Sequence, residues 1–262
     1  MKTTLQNPEK MSAIRMGLPI QECGLTFYPI RMSSYELFVL CKDALCFRMS
    51  TLPVRLMSKD FLNAIYSLEV EALKSENTKN TSTGLFYRLI RLFYLSLRID
   101  FNEKMVEQSF AINEKNEIER IDVIQNNKKV SVTPMQFSLT IRSLIAMQNG
   151  IELPDESENI DLVRANNKKK ELEKSGIELD ISADSLISSV AFLSHVSEAE
   201  INNWTVREFE SRIKAIQRDK NFMLHKQAEL SGMVKFKNGN PFPSWCYDRL
   251  DDSLGTRELS EI

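Results

Sequence analysis

Arg88, Arg91 and Arg98 fall in one narrow angular sector of a predicted helix when about 100° is allotted to each residue. Guanidinium groups pair oxyanions through forked hydrogen bonds, so this stripe is the best-placed set for an acidic partner or a phosphate. The competing reading is an amphipathic helix that turns its only polar seam to water. A second basic run, Lys168-Lys169-Lys170, is diluted by the adjoining acids Glu171 and Glu173 and reads as a solvated face. His195 and His225 each stand alone in a helix with no cysteine or carboxylate at a ligand interval, so no metal is expected. Gly-x-Ser-x-Gly, His-Glu-x-x-His and phosphate-cradling Gly-rich loops are missing, so neither an enzyme nor a bound cofactor is expected. A catalytic site assembled from distant residues is the alternative this leaves open.

Those side chains sit in an ordinary globular background. Of 262 residues, 42% are apolar and 27% charged, enough to bury a core, and the net charge of −2 gives no general attraction to polyanions. The first residues lack the charged-then-apolar order of a signal peptide and no apolar run spans a bilayer, so the expected location is the cytoplasm, without a membrane partner. Cys23, Cys41, Cys46 and Cys246 have no disulfide-framework spacing and are expected to act as small apolar side chains.

The fold class expected is mainly α with a small antiparallel β-meander, an α+β arrangement. Residues 1–32, dense in breakers (Pro8, Gly17, Pro19, Gly24, Pro29), read as an extended arm. Residues 33–150 read as a helical domain with the meander at about 107–133. Its first helix starts at Ser33, with Leu37, Leu40, Cys41 and Leu45 at helical spacing; Ser58 is expected to cap the second. The third, from Leu85 to Ile99, is apolar nearly all round. Strand-like runs joined at Asn113-Glu114-Lys115-Asn116 and at Asn126-Asn127 form the meander. Thr133-Pro134-Met135-Gln136 then combines an N-cap, a helix-starting proline and a capping-box glutamine, for a helix stopped by Gly150.

Residues 151–176 read as a charged helical connector and 177–232 as a trihelical module. In the module Leu186, Ile187, Val190 and Leu193 are expected inward on the first helix, and Phe209, Ile213, Ile216 and Met223 on the last. Three helices invite comparison with a helix-turn-helix, which makes a nucleic-acid-binding regulator the alternative function. Against it, the last helix mixes Arg207, Arg212, Lys214 and Arg218 with Glu208, Glu210 and Asp219, so its field toward phosphates is weak and nucleic acid is not the expected partner. Residues 233–262 read as an extended aromatic and acidic tail in which prolines pre-extend the chain and Phe236, Phe242, Trp245 and Tyr247 offer anchors of the kind that build interface hot spots, the equal alternative being that these aromatics fold back onto their own domain. Trp204 joins them as a candidate partner-binding residue.

From about Ile181 to Asp252 the chain resembles a group of tailed-bacteriophage tail and baseplate assembly proteins, including tail assembly chaperone-like proteins. The residues that carry this are Ser188-Ser189-Val190-Ala191, Asn203-Trp204-Thr205-Val206-Arg207-Glu208-Phe209-Glu210, Ser231-Gly232-Met233-Val234-Lys235-Phe236-Lys237-Asn238-Gly239-Asn240-Pro241 and Pro243-Ser244-Trp245. The resemblance implies a non-catalytic factor, a chaperone or minor structural component, that binds phage tail, tape-measure or baseplate proteins. It implies the host cytoplasm as location, with incorporation in the virion and homo-oligomer formation left open.

Overall fold

A computed structural model describes residues 8–74, 84–102, 109–158 and 182–232, with 161, 165, 168, 244 and 245. The fold is mainly helical with two small antiparallel sheets, as expected. It divides into two compact units, Met1–Ala183 with Asn202–Arg207, and Asp184–Ile201 with Glu208–Ile262. Among the described residues no helix is long and apolar enough to cross a membrane.

The core of the first unit forms around one apolar helix. The elements in chain order are α1 (Pro8–Arg15), β1 (Ile20–Glu22), β2 (Leu25–Phe27), α2 (Tyr35–Leu45), α3 (Val54–Met57), α4 (Phe61–Lys74) and α5 (Leu85–Leu97). Then come β3 (Phe110–Ile112), β4 (Ile118–Gln125), β5 (Lys128–Val132), α6 (Pro134–Gln136), a π-helical turn over Phe137–Ile141, and α7 (Arg142–Asn149). α5 buries Leu89, Ile90, Leu92, Phe93 and Leu97 against α2, α4 and β2. Fully burying one such side chain contributes about 1.5–3 kcal/mol. Phe93 is the hub: its ring centroid lies 6.1 Å from that of Phe27, 5.6 Å from Tyr94 and 5.5 Å from Phe137.

The start of α6 follows from the Thr133 capping box, in which the Thr133 hydroxyl accepts from Gln136 N and the Gln136 side chain accepts from Thr133 N. Gly150, at φ 71°, closes α7 in the left-handed region that glycine tolerates. The π turn was not legible in the sequence, and it places Phe137 and Ile141, four residues apart, both in the core.

The meander pairs β3-β4-β5. Asn126 and Asn127, both at positive φ, make the two-residue β4–β5 connection, whose twist matches that of the flanking strands. Two side-chain amides hold the ends of β4. Asn63 of α4 donates to Ile118 O at 3.1 Å and accepts from Ile118 N at 2.7 Å. At the other end Gln125 donates to Thr26 O at 2.9 Å and accepts from Thr26 N at 2.8 Å. Buried polar backbone must be paired, and these amides supply the partners that a neighbouring strand would.

The N-terminal residues depart from the expected extended arm. Within 8–32 lie α1 and a β1–β2 hairpin whose Cys23-Gly24 turn has both residues at positive φ. Ile14, Leu25, Phe27, Ile30 and Met32 are buried. Tyr28 N donates to Ser96 O, Ile30 N to the Asn149 side chain, Met32 N to Trp204 O and Ser33 N to Asn202 O, while Val206 N donates to Ile30 O. The proline and glycine density excludes long regular elements but not burial, because backbone groups that lack a local ladder are satisfied here by distant ones.

Two helix details also differ. α2 buries Phe38, Cys41, Ala44 and Leu45, and the expected inward Leu40 is 63% exposed, because packing against α5 selects a face rotated from the one inferred. Asp60, rather than Ser58, takes the cap role at α4, its carboxylate accepting from Asn63 N at 3.0 Å. The expected charged helical connector, 151–176, lies mostly outside the described residues. In its described first residues, the Glu156 carboxylate accepts from Met49 N and Ser50 N, and Glu158 pairs with Arg48 at 3.0 Å.

The second unit holds α9 (Glu198–Ile201) and all but the first residues of α8 (Ala183–Ser194) and α10 (Val206–Leu230). Ser197 caps α9 by accepting from Glu200 N. α10 has 25 residues and therefore runs for about 37 Å. Val190, Ala191, Ile201 and Phe209 are buried; Met223, expected inward, is 48% exposed and Leu193 also faces water.

Candidate functional site

A concave site in the first unit forms where the Pro29–Ser34 segment passes the C-terminal end of α5. It is a half-open pocket of about 300 Å³ lined by Pro29, Ile30, Arg31, Ser33, Ser34, Leu95, Arg98, Ile99 and Asp100. Pro29, Ile30, Leu95 and Ile99 are its apolar residues, and Arg31, Ser33, Ser34, Arg98 and Asp100 its polar ones.

Local structure explains how Arg98 arrives there. α5 ends at Leu97, and Arg98 takes a left-handed conformation, φ 55° and ψ 40°, its N–H bonding back to Tyr94 O and Leu95 O. For a residue with a Cβ this conformation costs about 1–2 kcal/mol. Two contacts offset it. The guanidinium lies 4.4 Å from the centre of the Tyr28 ring, a cation–π contact, and a cation at a helix C-terminus is favoured by the helix dipole. Tyr28 is itself held by its N–H to Ser96 O at 2.7 Å. Burial first, and then the charge of Arg31, lower the Arg98 pKa from its ordinary value. Among the described residues no carboxylate lies within ion-pair distance of Arg31 or Arg98.

The arginine stripe inferred from helical spacing is therefore split. Arg88 bonds through Nε to Gly84 O, and Arg91 lies 5.8 Å from the Phe101 ring centre; both lower the pKa of the buried Cys41 thiol, which desolvation raises more strongly. Arg98 leaves their sector because the helix ends before it. Arg31 and Ser34, which join Arg98 at the pocket, were not singled out by sequence reasoning, and Ser33 was read only as the start of the first helix. Arg31 and Ser33 alternate with the apolar Ile30 and Met32, and the pairing of this segment with residues around 98 is set by the fold.

Trp204 belongs to the short segment that runs beside Met32 and Ser33, where its carbonyl accepts from Met32 N. Trp245 is described and 65% exposed; Phe236, Phe242 and Tyr247 lie outside the described residues. In the second unit Phe192 is 78% exposed, and Leu224 and Leu230 also face water. Among the described residues no group of three or more His, Cys, Asp or Glu side chains could hold a metal ion, and Cys23, Cys41 and Cys46 are free thiols. His225 Nδ1 contacts Asn221 O within its own helix.

No family model, curated protein or solved structure matches the chain.

Proposed function

We propose that this chain is a non-catalytic protein-binding factor and, following the resemblance of its C-terminal quarter, that it acts in bacteriophage tail or baseplate assembly. The supporting observation is the apolar surface of the second unit. Phe192 (78% exposed), Leu224, Leu230 and Trp245 present large apolar side chains to water, against four buried apolar residues, Val190, Ala191, Ile201 and Phe209, among those described there. Exposed aromatic and aliphatic side chains become interface anchors when a partner desolvates them. On this reading the partners are tail, tape-measure or baseplate proteins, met in the cytoplasm of an infected cell, with retention in the virion and self-association as variants.

The test is purification of the tagged full chain from its native cell, with Phe192→Asp and a truncation before Met233 in parallel. Stoichiometric recovery of a tail, tape-measure or baseplate protein with the full chain, lost in both variants, is the expected result. Salt-sensitive recovery of duplex DNA instead supports the nucleic-acid-binding alternative, and recovery of nothing defeats the proposal.

A further inference from the structure

We infer that the pocket formed by Pro29–Ser34 and the end of α5 receives an acidic side chain, Asp or Glu, from a partner polypeptide. The partner class rests on the protein-binding reading above; the pocket chemistry rests on the structure alone.

Arg31 and Arg98 face one cavity with no carboxylate at ion-pair distance among the described residues, so their forked donors remain available to an oxyanion. Ser33 and Ser34 line the same space, and their hydroxyls have no hydrogen-bond partner among the described residues. Arg98 also occupies a left-handed position where glycine or asparagine carries less strain, and its side chain is steadied over Tyr28. Glycine there would close the helix equally well but would supply no cation.

Charge count selects the class of anion. Two guanidiniums and the Asp100 carboxylate leave a net lining charge of one positive unit, which one carboxylate matches. Asp100 repels either anion, but a phosphate dianion about twice as strongly as a carboxylate, and the dianion would leave the filled pocket one unit negative. Ile30, Leu95 and Ile99 suit the methylene stem of a Glu or Asp side chain, and the volume of about 300 Å³ fits a side chain better than a nucleotide.

The experiment is an amide NMR titration of the full chain with three probes: a capped tetraglutamate peptide, a capped tetraglutamine peptide and inorganic phosphate. The expected result is saturable movement of the Ser33, Ser34 and Ile99 amides with tetraglutamate, none with tetraglutamine, and weaker movement with phosphate. Arg31→Gln and Arg98→Asn are each expected to weaken the tetraglutamate response about tenfold. Asparagine tolerates the left-handed conformation, so Arg98→Asn retains the helix end, and an unchanged spectrum elsewhere verifies folding. Tighter binding of phosphate, equal response to tetraglutamine, or no response overturns the inference. Because these probes are read without the native partner, loss of capture in the Phe192→Asp experiment and failure of the pocket are separate outcomes.

Discussion

Gln125 and Thr26, 99 residues apart in the sequence, exchange two hydrogen bonds: Gln125 Nε2 donates to Thr26 O at 2.9 Å, and Thr26 N donates to Gln125 Oε1 at 2.8 Å. The same Nε2 donates to Leu97 O at 3.1 Å, so one amide joins the N-terminal hairpin, the last turn of α5 and the end of β4. Gln125→Ala is expected to lower stability by about 1–3 kcal/mol, because a half-buried N–H and two carbonyls lose their partner. Gln125→Glu is expected to be worse at neutral pH, since a carboxylate would face two carbonyl oxygens. Burial among acceptors raises its folded pKa, so the variant's deficit shrinks as pH falls below that value. Urea melts at two pH values check both statements.

Arg142 acts comparably at the end of α2. It donates to Leu45 O and Phe47 O, each at 3.0 Å, with its guanidinium 3.7 Å from the centre of the Phe61 ring. Burial lowers its pKa, opposed by Glu156 and then Cys46. Arg142→Lys retains the charge but not the planar fork, and the expected loss is about 2 kcal/mol. A lower urea midpoint with an unchanged m-value is the signature of that loss.

The meander carries an acid-sensitive pair. Asp122 accepts from the Ser131 hydroxyl at 2.6 Å and pairs with Lys129 at 3.0 Å, and these contacts bring its pKa down to about 2. Its unfolded value is about 3.9. The folded pKa is the lower one, so the stabilisation is present above the unfolded value and is lost as pH falls through about 2. Asp122→Asn is expected to flatten this part of the stability profile between about pH 4 and pH 2, read from urea midpoints across that range.

Phe192→Asp is expected to change stability by less than about 0.5 kcal/mol, because the ring is already in water. Partner capture is expected to fall at least tenfold. Equal loss of stability and capture would make Phe192 a folding residue instead, and thermal melts run beside the capture assay separate these outcomes.

The elements and turns that depend on near neighbours were legible in the sequence. The Thr133-Pro134-Gln136 start, the Gly150 stop, the Asn126-Asn127 turn and the apolar run of α5 stand where local patterning places them. Each is specified by residues within a few positions, through caps, positive φ or periodic burial. Tertiary structure decided what local patterning does not carry. It sets which face of α2 is buried, why residues 20–33 run through the first unit as a hydrogen-bonded segment, and why Arg98 leaves the Arg88–Arg91 sector to meet Arg31. These outcomes depend on partners such as Gln125 for Thr26, 99 residues away, and Asn149 for Ile30, 119 residues away. A backbone group's need for a partner is evident in any sequence, but the partner's identity is settled only when distant elements pack.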